Sequence, residues 1–215
     1  MTPVDITYLF SYGIMIYCSI LWLTIYFSKE DEVDYDPEPE ELPEVTMLVP
    51  AYNEEEYIEN CLESLLAQDY PEDKLKIIAI NDGSEDNTAV IAQRYANKHD
   101  NIELINKENT GKGDSLNHGL EFTESPIVGC MDADSFPDKD YIKRMVVYFE
   151  REVIVAVTPS LKVAKTDTWV QKLQWAEYIF QIFLRKIFAF FDIQYTVPGP
   201  GGLYKTEFLK ETEGF

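Results

Sequence analysis

From Val45 onward, short apolar runs alternate with stretches in which apolar residues recur at helical spacing. Few folds satisfy that alternation: strands separated by helices pair in parallel, and helices cover the sheet. Residues 45–49, 75–80, 102–105, 127–131 and 153–157 read as strands. Residues 54–68, 86–98, 113–122 and 137–150 read as helices between them. In the first helix, Tyr57, Ile58, Cys61, Leu62, Leu65 and Leu66 share one face. Ser84 is a candidate cap for the second, and Pro137 suits the first turn of the last. The fold class expected is α/β, an open and mostly parallel sheet with flanking helices. No internal repeat is visible.

In such sheets ligands bind beyond the carboxyl ends of the strands. Three polar motifs fall there: Pro50-Ala51-Tyr52-Asn53-Glu54, Asn81-Asp82-Gly83-Ser84 and Asp132-Ala133-Asp134. Strand, motif and helix are in register three times, so the loops can converge on one ligand. Asp132 and Asp134 are alternate residues at a strand end, and alternate side chains share a face. Two carboxylates in one cleft repel each other unless a cation joins them. Mg²⁺ or Mn²⁺ suits such oxygen ligands, and Mg²⁺ typically takes one or two carboxylates plus substrate phosphates. The plain alternative is a polar turn with an Asp at a helix cap.

Asp82 reads either as an Asx turn or as an acceptor for the N–H groups of a nucleobase. Tyr52 can stack on that base or close the top of the core. Lys112, between Gly111 and Gly113, can meet a base edge or a phosphate at a helix N-terminus, or simply point into solvent. His99 and His118 have no metal-ligand spacing and no nucleophile beside them. No zinc, Ser-His-Asp or phosphate-loop arrangement can be assembled.

The formal net charge of −21 excludes a nucleic-acid partner, which needs a basic face. It also repels an anionic substrate unless a metal or a local cation intervenes. The three cysteines, Cys18, Cys61 and Cys130, sit in apolar surroundings and read as buried free thiols in a reducing compartment.

Residues 6–27 carry no charge, long enough to cross a bilayer. Tyr8, Trp22 and Tyr26 suit its interfaces. A signal peptide fits poorly, because no Lys or Arg precedes the run and no small-residue cleavage site follows it. The expected organisation is therefore a single-pass membrane anchor at residues 1–29, an acidic, proline-bearing linker at 30–44, and a folded domain at 45–215. Lys29 alone codes orientation weakly. The domain is placed in the cytoplasm, at the cell membrane, by its inferred substrate. Residues 169–191 form an aromatic, amphipathic stretch with Trp175, Tyr178, Ile179, Ile182, Phe183, Ile187 and Phe190. It reads as an interfacial helix or as a core helix.

Four motifs now stand in order: Val49-Pro50-Ala51-Tyr52-Asn53-Glu54-Glu55; Asn81-Asp82-Gly83-Ser84-Glu85-Asp86-Asn87-Thr88; Gly111-Lys112-Gly113 with Leu116-Asn117; and Asp132-Ala133-Asp134. Together they resemble family 2 glycosyltransferases, from about Val45 to the chain's end. The resemblance implies a GT-A fold and an inverting transfer from a nucleotide-diphospho-sugar, usually a UDP-sugar, with Mg²⁺ or Mn²⁺. It puts Pro50, Ala51, Tyr52 and Glu54 at the nucleoside, Asp82 at the base and Lys112 near the nucleotide. Asp132 approaches the ribose or the metal, and Asp134 binds the metal. These two are catalytic through the metal, which stabilises the leaving diphosphate.

The segment Thr196-Val197-Pro198-Gly199-Pro200-Gly201-Gly202-Leu203-Tyr204, followed by Glu213-Gly214-Phe215, is similar to the acceptor-side loop of the membrane-embedded, polysaccharide-synthase-like branch. That branch includes hyaluronan, chitin, cellulose and poly-N-acetylglucosamine synthases. In the family an acidic motif bearing the general base soon follows the Gly-Phe pair, and this chain stops at Phe215. Glu207, Glu211 and Glu213 do not match that motif. The domain is thus expected to be incomplete at its C-terminal end, with a second chain or segment supplying the rest. Its partners are a nucleotide-sugar donor, a glycan or lipid-linked acceptor, and the membrane. Two other readings stand beside the enzyme: a nucleotide-sugar-binding fragment without turnover of its own, and a polyprenyl-phosphate glycosyltransferase, whose ionised acceptor needs no strong base.

Overall fold

The computed structural model describes residues 2–28, 39, 41–191, 197, 199–212 and 214–215. The chain divides into two units, Met1–Asp36 with Ser160–Thr196, and Pro37–Pro159 with Val197–Phe215. Most of the linker expected at 30–44, with Pro198 and Glu213, lies outside the described residues.

The second unit is built on a sheet of order β3-β2-β1-β4-β6-β5. Its strands are β1 (Val45–Ala51), β2 (Leu75–Asp82), β3 (Ile102–Lys107), β4 (Ile127–Cys130), β5 (Ala156–Val157) and β6 (Leu203–Lys205). β1 pairs in parallel with β2 and β4, and β2 with β3. β6 runs antiparallel to β4 and β5. The α/β class with a mostly parallel sheet is therefore as expected. Strands covered on both faces read as continuous apolar runs, which is why β1 and β2 were visible in sequence.

Alternate residues of each strand feed opposite cores. Met47, Val49, Ile77 and Ala79 pack with α2 (Ile58–Leu66), α3 (Thr88–Ala96) and α5 (Tyr141–Val146), through Leu62, Ala92 and Ile142. Leu48, Ile78, Ile80 and Val128 pack with α4 (Lys112–Glu121) and α7 (Thr206–Glu211), through Leu116, Leu120 and Leu209. The fold reaches back into the expected linker. Leu42 packs on the core, and its carbonyl accepts from Lys74 Nζ at 2.7 Å.

Several expectations change. α2 begins at Ile58, not at residue 54; residues 54–57 form a turn in which Glu54 O accepts from Tyr57 N at 3.0 Å and Ile58 N at 2.9 Å. Ser84 does not cap α3; its Oγ accepts from Asn53 N, and Asn87 precedes the helix. Pro137 lies outside α5, which gives way to a 3₁₀ turn at Val147–Glu150. Asn81 and Asp82 belong to β2 itself, in register with Asn106 and Lys107. β5 is only two residues long, and β6 and α7 had no sequence signal.

In the first unit, α1 (Pro3–Ser28) is long and apolar enough to cross a membrane, with mean hydropathy 1.6 and no buried residue. Cys18 lies on it and is only half-buried, unlike Cys61 and Cys130. α6 (Trp169–Ala189) starts in a capping box, where Thr168 Oγ1 accepts from Gln171 N. Tyr26 of α1 meets Phe183 of α6 with ring centroids 5.4 Å apart. Trp169, Val170, Leu173, Trp175, Ile179 and Phe180 of α6 are exposed, so the core-helix reading fails for most of its length.

Candidate active site

Because β2 and β4 flank β1 in parallel, their carboxyl ends open onto one edge. Pro50, Ala51, Tyr52, Glu54, Asp82, Lys112, Asp132, Ala133 and Asp134 line one cleft there, about 210 Å³ in volume. The structure thus brings together every substrate-binding and metal-ligating residue expected from sequence. Ala133 is buried, while its neighbours Asp132 and Asp134 are more open to solvent. Met131 N continues the β4 pairing onto Leu48 O at 2.9 Å, and Ser135 N closes a turn on Asp132 O at 2.9 Å. The two carboxylates therefore leave a strand end whose backbone is fixed.

Negative charge concentrates here. Burial, then Asp134, Asp132 and Asp86, raises the Glu54 carboxyl above its ordinary pKa. Burial, then the same two cleft aspartates, pushes the Cys61 thiol up to about 12. Burial lifts Cys130 to about 11. Both thiols are protonated at neutral pH and unreactive. Lys112 Nζ forms an ion pair with Asp132 Oδ1.

Asp82 has a second task that sequence did not reveal. Its Oδ1 accepts from Lys107 Nζ at 2.7 Å and from Thr110 N at 3.0 Å, and its Oδ2 accepts from Gly111 N at 2.9 Å. Burial alone would raise this carboxyl, but the bonds from Lys107, Thr110 and Gly111 outweigh it and hold the pKa low. Asp82 thereby ties down the loop that leads into α4, and so the starting point of Lys112.

The polar residues between β1 and α2, and between β2 and α3, hold one another. Glu54 N donates to Thr88 Oγ1 at 2.8 Å, and Glu55 N to Asp86 Oδ2 at 3.1 Å. In return Glu85 N donates to Asn53 Oδ1 at 2.8 Å, and Asn87 N to Glu55 Oε2 at 3.0 Å. Asn53 takes a left-handed backbone, φ 55°, as Asn tolerates. Much of two motifs is therefore framework for the cleft. Sequence offered one signal, complementary polar residues at the ends of adjacent strands.

The glycine-rich segment runs beside the end of β4. Gly201 N donates to Cys130 O at 2.7 Å, Cys130 N to Gly202 O at 3.1 Å and Cys130 Sγ to Gly199 O at 2.6 Å. Asn117 of α4, another group the sequence did not single out for a task, clasps the chain's last residues. Its Oδ1 accepts from Phe215 N at 2.7 Å. Gly214 has φ +95°, and a Cβ there would lie 2.1 Å from Asn117 Oδ1. Glu207 lines a separate cavity of about 720 Å³ at the opposite edge of the sheet, with Pro126, Ile127 and Lys205.

Residues 46–212 match the model of the family described as Glycosyl transferase family 2. The chain belongs to glycosyl transferase family 2. This family 2 chain is 34% identical over 172 residues to the poly-beta-1,6-N-acetyl-D-glucosamine synthase of Staphylococcus aureus strain COL, covering 76% of itself and 41% of that protein. It is 35% identical over 106 residues to glycosyltransferase AglE of Haloferax volcanii, covering 49% of itself and 35% of that protein. The chain thus spans less than half the length of these curated relatives. Among solved structures, it resembles the mannosyltransferase PcManGT from Pyrobaculum calidifontis, in complex with GDP-Man and Mn²⁺. The TM-score is 0.72 at 27% identity, over 90% of this chain and 55% of that one. TarS 1–349 of S. aureus aligns with TM-score 0.60 at 24% identity, over 79% of this chain and 49% of that one, a likeness of fold. The fold is GT-A.

Proposed function

We propose that this chain is the donor-binding part of a metal-dependent, inverting glycosyltransferase that moves a sugar from a UDP-sugar to a glycan or lipid-linked acceptor. The observation that carries the reading is the single cleft in which Asp132 and Asp134 face Tyr52, Glu54, Asp82 and Lys112. Among the described residues, no cluster of three His, Cys, Asp or Glu forms a closed metal site. Two carboxylates at an open cleft fit Mg²⁺ or Mn²⁺, which leaves positions for phosphate oxygens and water. When bound, such a cation neutralises the diphosphate and stabilises it as a leaving group.

The remaining roles belong to side chains of this chain. Tyr52 is exposed and stacks on the base, with Pro50, Ala51 and Glu54 around the nucleoside. Asp82 presents a carboxylate to base N–H groups while it holds the α4 loop. Asp132 and Asp134 hold the cation, and Lys112 meets the nucleotide. The glycine segment 199–202, locked to β4, borders the acceptor side. Support for a nucleotide-sugar donor comes from the GDP-Man and Mn²⁺ complex of PcManGT. Support for a polysaccharide acceptor comes from the synthase named among the relatives.

The membrane reading completes the proposal. Residues 1–29 anchor the chain in a single pass, the acidic stretch ahead of Leu42 links that anchor to the folded domain, and the domain is cytoplasmic. The exposed aromatic face of α6 suits the membrane interface.

The alternative kept beside it is donor binding without turnover. One experiment decides between them. UDP-GlcNAc, other UDP-sugars and GDP-Man are supplied with Mn²⁺ and an oligosaccharide or polyprenyl phosphate, and nucleotide release is followed beside calorimetric binding. UDP binding with turnover supports the enzyme, and binding without turnover supports the fragment. Failure of every UDP ligand to bind ends both.

A further inference from the structure

The ion pair between Lys112 and Asp132 raises a question that the proposed donor site does not answer. The same Asp132 carboxylate is engaged by an ammonium group and offered to a divalent cation. The pair uses Oδ1, and an ammonium there repels a divalent cation arriving at the same carboxylate.

We propose that Lys112 is the resident counter-ion of the cleft: its ammonium holds Asp132 until a divalent cation displaces it, and it then turns to the diphosphate of the nucleotide. This rests on the donor-site reading above and adds an exchange of cations within it. Four observations carry it.

Glu54, Asp132 and Asp134 line one cleft of a chain with net charge −21. Neighbouring carboxylates favour a nearby cation, and Lys112 is the lysine that lines the cleft. The pair is also exchangeable. The Lys112 side chain is 47% exposed and that of Asp132 29%, and ion pairs this close to water contribute little net stability.

The backbone of Lys112 cannot follow its ammonium. Gly111 N and Thr110 N are bonded to Asp82, and Lys112 opens α4. Only the flexible stem is free to swing, so its reach stays within the cleft. Finally, the ammonium lies against Gly199. A Cβ at that position would stand 3.3 Å from Lys112 Nζ, so the absence of a side chain there leaves the ammonium room to move.

The exchange predicts effects of opposite sign from one substitution. Mn²⁺ alone is titrated calorimetrically into the 215-residue chain and into Lys112→Gln, and UDP is then titrated into each at saturating Mn²⁺. Removing the competing ammonium should tighten Mn²⁺ about threefold. Removing the group that meets the diphosphate should weaken UDP about tenfold. Lys112→Arg keeps the charge and should restore both affinities towards wild type, which a general loss of folding would not do. Equal Mn²⁺ affinity in wild type and Lys112→Gln overturns the exchange, as does a change of both affinities in the same direction. Absence of Mn²⁺ binding without nucleotide in either chain overturns it as well. The donor-site reading fails separately, if wild type takes up no UDP with Mn²⁺ or if Asp134→Ala binds it unchanged.

Discussion

Two lysine–aspartate pairs at the same sheet edge have opposite characters. Lys107 and Asp82 meet at 2.7 Å with side chains 12% and 4% exposed. Each has further partners: Lys107 Nζ also donates to Glu108 O, and Asp82 accepts from two backbone N–H groups. Lys112 and Asp132 are both more exposed and line the open cleft. A charge taken out of water persists only when it is paired and fully hydrogen-bonded. The first pair is therefore framework. The second can open and close at little cost, which is what a binding site needs. The difference separates a pair whose geometry the fold fixes from one that is free to exchange partners.

The largest expected effect breaks the first pair. Asp82→Asn takes the buried carboxylate from Lys107, leaves it the exposed Asp114 at 3.3 Å, and should cost about 2–3 kcal/mol of stability. Asp132→Asn should cost no more than ~1 kcal/mol while impairing metal-dependent UDP binding. Urea denaturation of both variants checks this, and equal losses would erase the distinction between the pairs.

A pH series sharpens it. The Asp82 carboxyl is held low, so its contribution is present above the unfolded value of about 3.9 and is lost as pH falls through the lower folded value. Burial lowers the Lys107 pKa, but Asp82 and Asp114 outweigh it and leave it raised. Its contribution is present below the unfolded value of about 10.4 and is lost as pH rises through the higher folded value. The stability difference between wild type and Asp82→Asn should stay level from about pH 4 to about pH 10 and shrink on either side. A difference that varied steeply around neutrality would point to another group.

The smallest effect concerns the clasp on α4. Asn117→Ala removes the acceptor of Phe215 N and should cost about 1 kcal/mol, with faster amide exchange at Phe215. Unchanged exchange there would remove the clasp from the framework.

The cleft was legible in sequence and its framework was not, for physical reasons. Residues such as Tyr52, Asp132 and Asp134 follow buried parallel strands, and strand ends declare themselves through the apolar runs before them. Lys107 escaped notice because β3 read as ending at Ile105, and its partner lies 25 residues away. The start of α2 was misplaced because Tyr57 fits the helical spacing although it belongs to the turn closed on Glu54 O. β6 is three residues long and enters from glycines, so neither length nor alternation marked it. α6 has helical spacing, but spacing alone does not say which surroundings its aromatic face meets.

The central claim, that Asp132 and Asp134 hold a cation that carries the nucleotide diphosphate, is tested most directly by titrating UDP into wild type and Asp134→Ala, each with Mn²⁺ or with a chelator. The account predicts that the chelator weakens UDP binding to wild type at least about tenfold. Asp134→Ala should bind at the chelator level whether or not Mn²⁺ is present. An Asp134→Ala chain that still gains affinity from Mn²⁺ as wild type does would contradict it.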